Sequence, residues 1–145
     1  MILPLVLSLV TAQAPKSDPL TSVRAYVFTD TSTTGTPSAE EQARVEGVRE
    51  LKDALSKKKG ISLVDRREDA NLLIEVTDRE QKDESGGPFG GKKLTSLGET
   101  ILHLHLSSGG QESDLKGMGQ GSPGRAAKDA ADRILKWIAR REPPR

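Results

Sequence analysis

Residues 38–64, SAEEQARVEGVRELKDALSKKKGISLV, set the architecture of this chain, because they predict one amphipathic helix followed directly by a short strand. Ser38 and Glu41 have the spacing of a capping box, in which each side chain accepts a hydrogen bond from a backbone N–H at the helix start. Gly47, in the middle of this helix, lowers the stability of the helix by up to about 1 kcal/mol relative to alanine, and its presence suggests close packing. One apolar stripe is expected from the residues at helical spacing, Val45, Val48, Leu51 and Leu55.

The ends of this helix connect it to two predicted strands. Lys57 to Lys59 complement the negative helix terminus, and Gly60 is expected to be the left-handed residue that closes it. The β-branched and aromatic run Val23 to Thr29 predicts a strand before the helix, and Ile61 to Val64 predicts the strand after it. Strand, helix and strand in this order favour a parallel βαβ unit. Apolar groups on both faces predict that the first strand lies in the sheet interior, covered on each side.

Three further strands are expected downstream. Leu72 to Thr77 and Ile101 to Leu106 both alternate apolar and polar residues, and a glycine-rich polar loop from about Gln81 to Pro88 separates them. Ser107 to Gln111 predicts a hairpin turn, so a strand near Ser113 to Met118 should pair antiparallel with the one before it.

A second helix closes the domain. Ser122 has the features of an N-cap, Pro123 suits the first helical position, and the helix should run to about Arg140. The order β-α-β-β-β-β-α predicts an α+β fold, a mixed sheet of four to five strands with two helices packed on one face. This single domain should occupy residues 23–141, with a disordered tail at 142–145. The apolar face of the second helix is expected to contain Ala127, Ala130, Ala131, Ile134 and Ile138.

The amino-terminal segment resembles a signal peptide. Residues 1–14 carry no charged side chain, and their apolar run is shorter than the roughly 20 residues that a membrane-spanning helix needs. Small residues favour cleavage after Ala12, with Ala14 as the alternative, since Pro15 would follow the second cut. Residues 15–22 are expected to be a linker. The missing basic n-region leaves open a start codon further upstream, and a buried strand is disfavoured by the abrupt change to polar residues. The mature chain should be periplasmic or secreted, without a membrane span.

Composition excludes several classes of protein. The chain has 22 Lys and Arg against 21 Asp and Glu, a formal net charge of +1, which argues against a nucleic-acid-binding surface. It has no cysteine, so disulfides, thiolate nucleophiles and a lipoprotein anchor are excluded. Few side chains could stack on bases, since the aromatic residues are Tyr26, Phe28, Phe89 and Trp137.

Two glycine-rich stretches resemble nucleotide-binding motifs only in part. Gly86 to Lys92 has P-loop spacing, but Lys93 stands where a hydroxyl residue should bind magnesium. Gly119 to Gly124 fits a dinucleotide fingerprint, yet no strand follows the helix that it opens. We interpret the first as a loop and the second as a turn that caps a helix, and no cofactor is expected.

His103 and His105 are the candidate metal ligands. Their alternation with leucines should place both imidazoles on one outward strand face, and His-x-His pairs occur in zinc and copper sites. They are the only histidines, so a third ligand would be a carboxylate such as Glu75 or Glu99 from a neighbouring strand. No metal site is favoured, because two solvent-facing histidines do not make one, and metal binding stays the alternative function.

No catalytic residue is predicted. A Gly-x-Ser-x-Gly elbow is absent, and a Ser-His-acid triad would need one of the paired histidines. The acidic clusters Asp65 to Asp69 and Asp78 to Glu80 interleave opposite charges, as a solvated surface does. The expected protein is therefore not an enzyme.

The pattern Ile61 to Asp65 followed by Glu68 to Val76 resembles a short strand, an Ala-Asp-Leu type turn and a long strand found in bacterial envelope proteins. By order of elements, Val23 to Arg140 is similar to the small α/β domains of the TolB amino-terminal, curli-secretion lipoprotein and penicillin-binding-protein-activator type. The resemblance implies a non-enzymatic module that binds another envelope protein. Because the lipid-attachment cysteine and the propeller are missing, it implies no particular partner and no site residue.

Overall fold

A computed structural model describes residues 23–31, 34–82 and 98–141 of the chain. The predicted signal peptide, linker and tail, and the P-loop-like stretch Gly86 to Lys92, lie outside these residues. The elements follow the predicted order: β1 (Val23–Phe28), α1 (Ala39–Ser56), β2 (Ile61–Leu63), a short 3₁₀ turn (Arg67–Asp69), β3 (Leu72–Lys82), β4 (Glu99–Ser108), β5 (Gln111–Gln120) and α2 (Pro123–Arg141).

The strands form one mixed sheet in the order β2-β1-β3-β4-β5. β1 runs parallel to both β2 and β3, while β3, β4 and β5 are antiparallel neighbours, so the parallel βαβ unit and the interior position of β1 are confirmed. Gly109 and Gly110 link β4 to β5 with φ of 55° and 80°, the positive values that a tight hairpin turn requires. The predicted α+β fold is therefore the observed one.

Both helices cover the same face of this sheet. Gly47 of α1 lies so close to β4 that an added Cβ would stand 2.8 Å from Leu102 Cδ1, and Gly117 of β5 lies closer still to Ala126 of α2. Leu102 and Gly117 are paired across β4 and β5, so they point to the same side. The close packing predicted at Gly47 is confirmed. The largest fully buried side chains between the layers are Leu51, Leu55, Leu72, Ile74, Leu102, Leu104, Leu106 and Ile134.

The start of α1 is as predicted, and so are three of the four residues of its apolar stripe, with Leu51 and Leu55 buried and Val48 packed against the core. Glu41 N–H donates to Ser38 Oγ at 3.2 Å and Ser38 N–H donates to Glu41 Oε2 at 2.9 Å, which completes the capping box. Val45, placed in the stripe by its spacing, is 50% exposed. Gly47 makes the closest approach to the sheet, and Val45 is about 200° of helix rotation away from it.

The other end of α1 also differs from the prediction. The helix ends at Ser56 with Lys57 as its right-handed cap, and Lys58 N–H donates to Leu55 O at 3.0 Å. Gly60 does have a positive φ of 86°, but it lies in the turn that enters β2 and is not the residue after the cap. This tightened turn satisfies the Leu55 carbonyl without a left-handed residue, and glycine is needed only later, where the chain reverses.

α2 begins at Pro123 as predicted, and its small residues allow it to lie against β5. Ala126, Ala127, Ala130, Ala131 and Ile134 are buried, while Ile138 at the end of the predicted face is partly buried. In the part of the chain that the structure describes, no helix is long and apolar enough to cross a membrane.

An ion pair joins the two helices and makes stability depend on pH. Lys58 Nζ lies 2.6 Å from Asp132 Oδ1, and this hydrogen bond lowers the pKa of Asp132 below its usual 3.8, against an opposing effect of desolvation. A lowered carboxyl pKa stabilises the fold above the unfolded value, and the stabilisation is lost as the pH falls through the folded value. We therefore expect the free energy of unfolding, measured by urea denaturation, to fall more steeply on acidification in the wild type than in Asp132→Asn. Parallel pH profiles would contradict this role.

Candidate functional site: the open face of the sheet

We call the side of the sheet that turns away from α1 and α2 the open face. Strand alternation and cross-strand register place there the residues that do not face the helices, and one of them, Ile101 of β4, is only 8% exposed. The open face includes Tyr26 and Phe28 of β1, Glu75, Asp78 and Glu80 of β3, His103 and His105 of β4, and Asp114, Lys116 and Met118 of β5. The outward orientation predicted for both histidines is confirmed.

A β-bulge in β3 determines which charged residues reach this face. Val76 pairs with Leu104, but the next pair is Asp78 with His103, so Thr77 is an extra residue. One inserted residue exchanges the two faces of everything that follows it in a strand. Val76 faces the helices, and without the bulge Asp78 would face them too. With the bulge, Asp78 shares the open face with His103.

The same bulge turns Arg79 inward. Its guanidinium donates to both carboxylate oxygens of Glu50 on α1, at 3.1 and 3.4 Å, and the two side chains are only 10% and 13% exposed. The sequence predicted that β3 ends at Thr77 and that Asp78 to Glu80 belong to a solvated surface. The strand end is wrong, because β3 continues to Lys82. The solvated surface is wrong for Arg79, which is turned inward, whereas Glu80 is exposed as predicted.

Asp78, Glu80 and His103 form a compact group of potential metal ligands. One donor atom from each lies within 4.8 Å of the others. His103 Nε2 is 3.3 Å from Glu80 Oε1, but the contact lacks hydrogen-bond geometry, and Nε2 is a buried atom with no hydrogen-bond partner. Asp78 Oδ1 is oriented by its own strand, because it accepts a 2.8 Å hydrogen bond from Arg79 N–H. In chemical terms, the group presents one imidazole nitrogen and two carboxylates to a cation.

His105 has a different environment two residues along the same strand. Its Nδ1 lies 2.7 Å from Asp114 Oδ1, and this hydrogen bond raises the pKa of His105 above its usual 6.5. Burial opposes the rise, while the charges of Asp114, Glu112 and Glu75 add to it. Among the described residues, the group of three mutually close metal donors contains His103 and not His105. Among the described residues, no serine or threonine hydroxyl bonds to His105 to build a triad.

The carboxylates proposed as third ligands lie elsewhere on the face. Glu75 pairs with His105, and Glu99 pairs with Lys82 and Gln120 at the far end of β4. Sequence reasoning missed Asp78 and Glu80 because it ended β3 too early. Their spacing of two residues around Arg79, which is typical of a strand, was the signal that could have found them.

The β1 end of the open face is aromatic. The rings of Tyr26 and Phe28 stack with centroids 5.5 Å apart, and the Arg67 guanidinium lies 5.1 Å from the Phe28 centroid. Both rings are partly buried. The sequence predicted that β1 is covered on each side. On the open side, the contacts among the described residues are the stacking of the two rings and Arg67 over Phe28.

Two glycines of the Gly119 to Gly124 stretch have structural uses. An added Cβ at Gly119 would lie 2.3 Å from Ala126 N of α2, and Gly121 turns the chain with a φ of 89°. Close approach of the strand to α2 explains Gly119, and the positive φ explains Gly121.

The basic run Lys57 to Lys59 also has a structural use. Lys57 pairs with Asp53 of the same helix and Lys58 pairs with Asp132 of α2.

No protein-family model matches this chain, and no curated protein is significantly similar to it.

Proposed function

We propose that this chain is an exported bacterial envelope domain that binds another protein through the open face, without catalysis. The observation that supports this most is the one-sided packing of the sheet. Both helices lie on one face, and within residues 23–31, 34–82 and 98–141 no helix covers the other. Solvent-facing apolar groups set among charged ones are typical of protein interaction surfaces.

The chemistry of the open face indicates what kind of partner would fit. Tyr26 and Phe28 give one end an apolar surface, while Glu75, Glu80 and Asp114 contribute to an acidic region further across. Because the net charge of the chain is only +1, basic residues elsewhere, largely on α2, balance the acidic side chains of the open face. A complementary partner would present apolar side chains flanked by lysine or arginine, because opposite potentials steer association and set its register.

Cross-linking in the native cell tests the choice of face. A photoreactive residue at Met118, on the open face and 46% exposed, is matched by one at Val45, on α1 and 50% exposed. We expect one protein to be captured from Met118 at severalfold higher yield than from Val45, through a peptide rich in lysine or arginine. Equal yields, or capture from Val45 alone, would contradict the proposal.

Export is tested separately on the recovered chain. The uncharged segment at residues 1–14 and the resemblance to envelope domains support it. Amino-terminal sequencing of the chain from an envelope fraction should start at Gln13, after cleavage at Ala12, or at Pro15 for the alternative site. Recovery of only uncleaved chain in the cytosol would contradict both export and an envelope partner.

A further inference from the structure

We infer that Asp78, Glu80 and His103 form a binding site for one divalent transition-metal ion, with Zn²⁺ the best match to the donors. The three donor atoms lie within 4.8 Å of one another on two paired strands. This inference goes beyond the proposed protein interaction and does not depend on it.

The distances suit a metal of this size. Zinc bonds to nitrogen and oxygen are about 2.0–2.1 Å long, so two donors of a tetrahedral site are about 3.3 Å apart. His103 Nε2 and Glu80 Oε1 are 3.3 Å apart. Asp78 is paired directly with His103, and Glu80 follows on the same face, so the backbone register already holds all three residues.

The state of His103 Nε2 is a second, independent observation. This nitrogen is shielded from solvent and makes no hydrogen bond, although the side chain as a whole is 23% exposed. Buried polar atoms in folded proteins nearly always have a partner, and an exception calls for an explanation such as an ion. A metal bound to the Nε2 lone pair would satisfy this atom and would also accept the Glu80 carboxylate beside it.

The charges around the group favour a cation. Asp78 and Glu80 stand on the same face, and Arg79 between them in sequence is held on the opposite face by Glu50. Lys116, in register with His103 on β5, is the basic residue that faces the group from that side. Two neighbouring carboxylates repel each other unless a cation lies between them.

The donor types select the metal class. Calcium and magnesium prefer oxygen ligands alone, whereas an imidazole with carboxylates suits zinc and related transition metals. Three protein ligands leave a coordination position for water or another group, as in open zinc sites. His105 is outside the group, because among the described residues the donor atoms within 4.8 Å of one another are those of Asp78, Glu80 and His103.

Calorimetric titration of the full chain with zinc chloride tests the site. We expect one equivalent of Zn²⁺ to bind the wild type, and His103→Ala and Glu80→Gln each to weaken binding at least tenfold. His105→Ala is the matched control, since it removes the chain's other histidine from the same strand face, and it should bind zinc within about twofold of the wild type.

Thermal unfolding separates loss of a ligand from loss of the fold. Because a ligand that binds only the folded state raises the melting temperature, zinc should stabilise the wild type and His105→Ala but not Glu80→Gln, whose melting temperature without zinc should match the wild type. No zinc binding by the wild type, undiminished binding by His103→Ala, or equal losses in His103→Ala and His105→Ala would overturn the assignment.

Discussion

Replacing Gly117 by alanine is expected to destabilise the fold by about 3 kcal/mol, because overpacking against rigid backbone is among the costliest small-to-large changes. An added Cβ would lie 2.3 Å from the Ala126 carbonyl oxygen and 2.8 Å from the Ala130 backbone nitrogen. Since both contacts are backbone atoms of α2, the helix itself would have to move away from β5. Urea denaturation of the wild type and the variant measures the loss.

Gly124→Ala is the control for this prediction. Gly124 lies in the first turn of the same helix, and its added Cβ would meet nothing closer than Ser122 Oγ at 3.9 Å. Alanine favours a helix more than glycine does, so the change should be neutral or slightly stabilising. If Gly117→Ala were as harmless as Gly124→Ala, the close packing of α2 on β5 would be wrong.

Removing Glu50 should cost nearly as much. Its partner Arg79 is 10% exposed, so Glu50→Ala leaves an unpaired charge between α1 and β3. Breaking a buried ion pair in this way costs about 3–5 kcal/mol in measured cases, and we expect about 3 kcal/mol because both side chains retain some contact with solvent. The free energy of unfolding at neutral pH checks the value.

The same helix supplies a control for Glu50. Glu46 pairs with Arg49 on the surface, where the two side chains are 42% and 77% exposed. Glu46→Ala should therefore cost less than about 1 kcal/mol, as exposed ion pairs do. Equal losses from the two substitutions would mean that Arg79 is not turned inward, and the bulge at Thr77 would then be wrong.

Local signals made much of the fold predictable. The capping box of Ser38 and Glu41 determines where α1 starts, and the leucines around His103 and His105 determine which side of β4 is buried. These features depend on residues close in sequence, so pattern and spacing are enough to predict them. The fold class followed from the order of such elements.

The remaining features depend on contacts between distant segments. Val45 has the right spacing for the buried stripe of α1, but the close approach at Gly47 to Leu102 rotates it outward. The bulge at Thr77 shifts the strand period by one residue, so the phase of Leu72 to Val76 does not extend to Asp78. Local spacing cannot predict either effect, because each is set by a partner on another element.

The two histidines show the same limit of prediction from local spacing at the candidate site. In the sequence, His103 and His105 are equivalent members of one alternating strand. Cross-strand register gives them different neighbours, Asp78 for His103 and Asp114 for His105. Within the part of the chain that the structure describes, His103 lies in a group of three metal donors and His105 does not.

Nitrogen NMR of the imidazole rings during a zinc titration measures this difference at the atoms concerned. The chain has two histidines, so the spectrum contains only four imidazole nitrogens. Bulge and register together predict that one equivalent of Zn²⁺ shifts His103 Nε2 to a metal-bound position and leaves both nitrogens of His105 where they were. Joint shifts of the two histidines, or no shift of His103 Nε2, would contradict the site built from Asp78, Glu80 and His103.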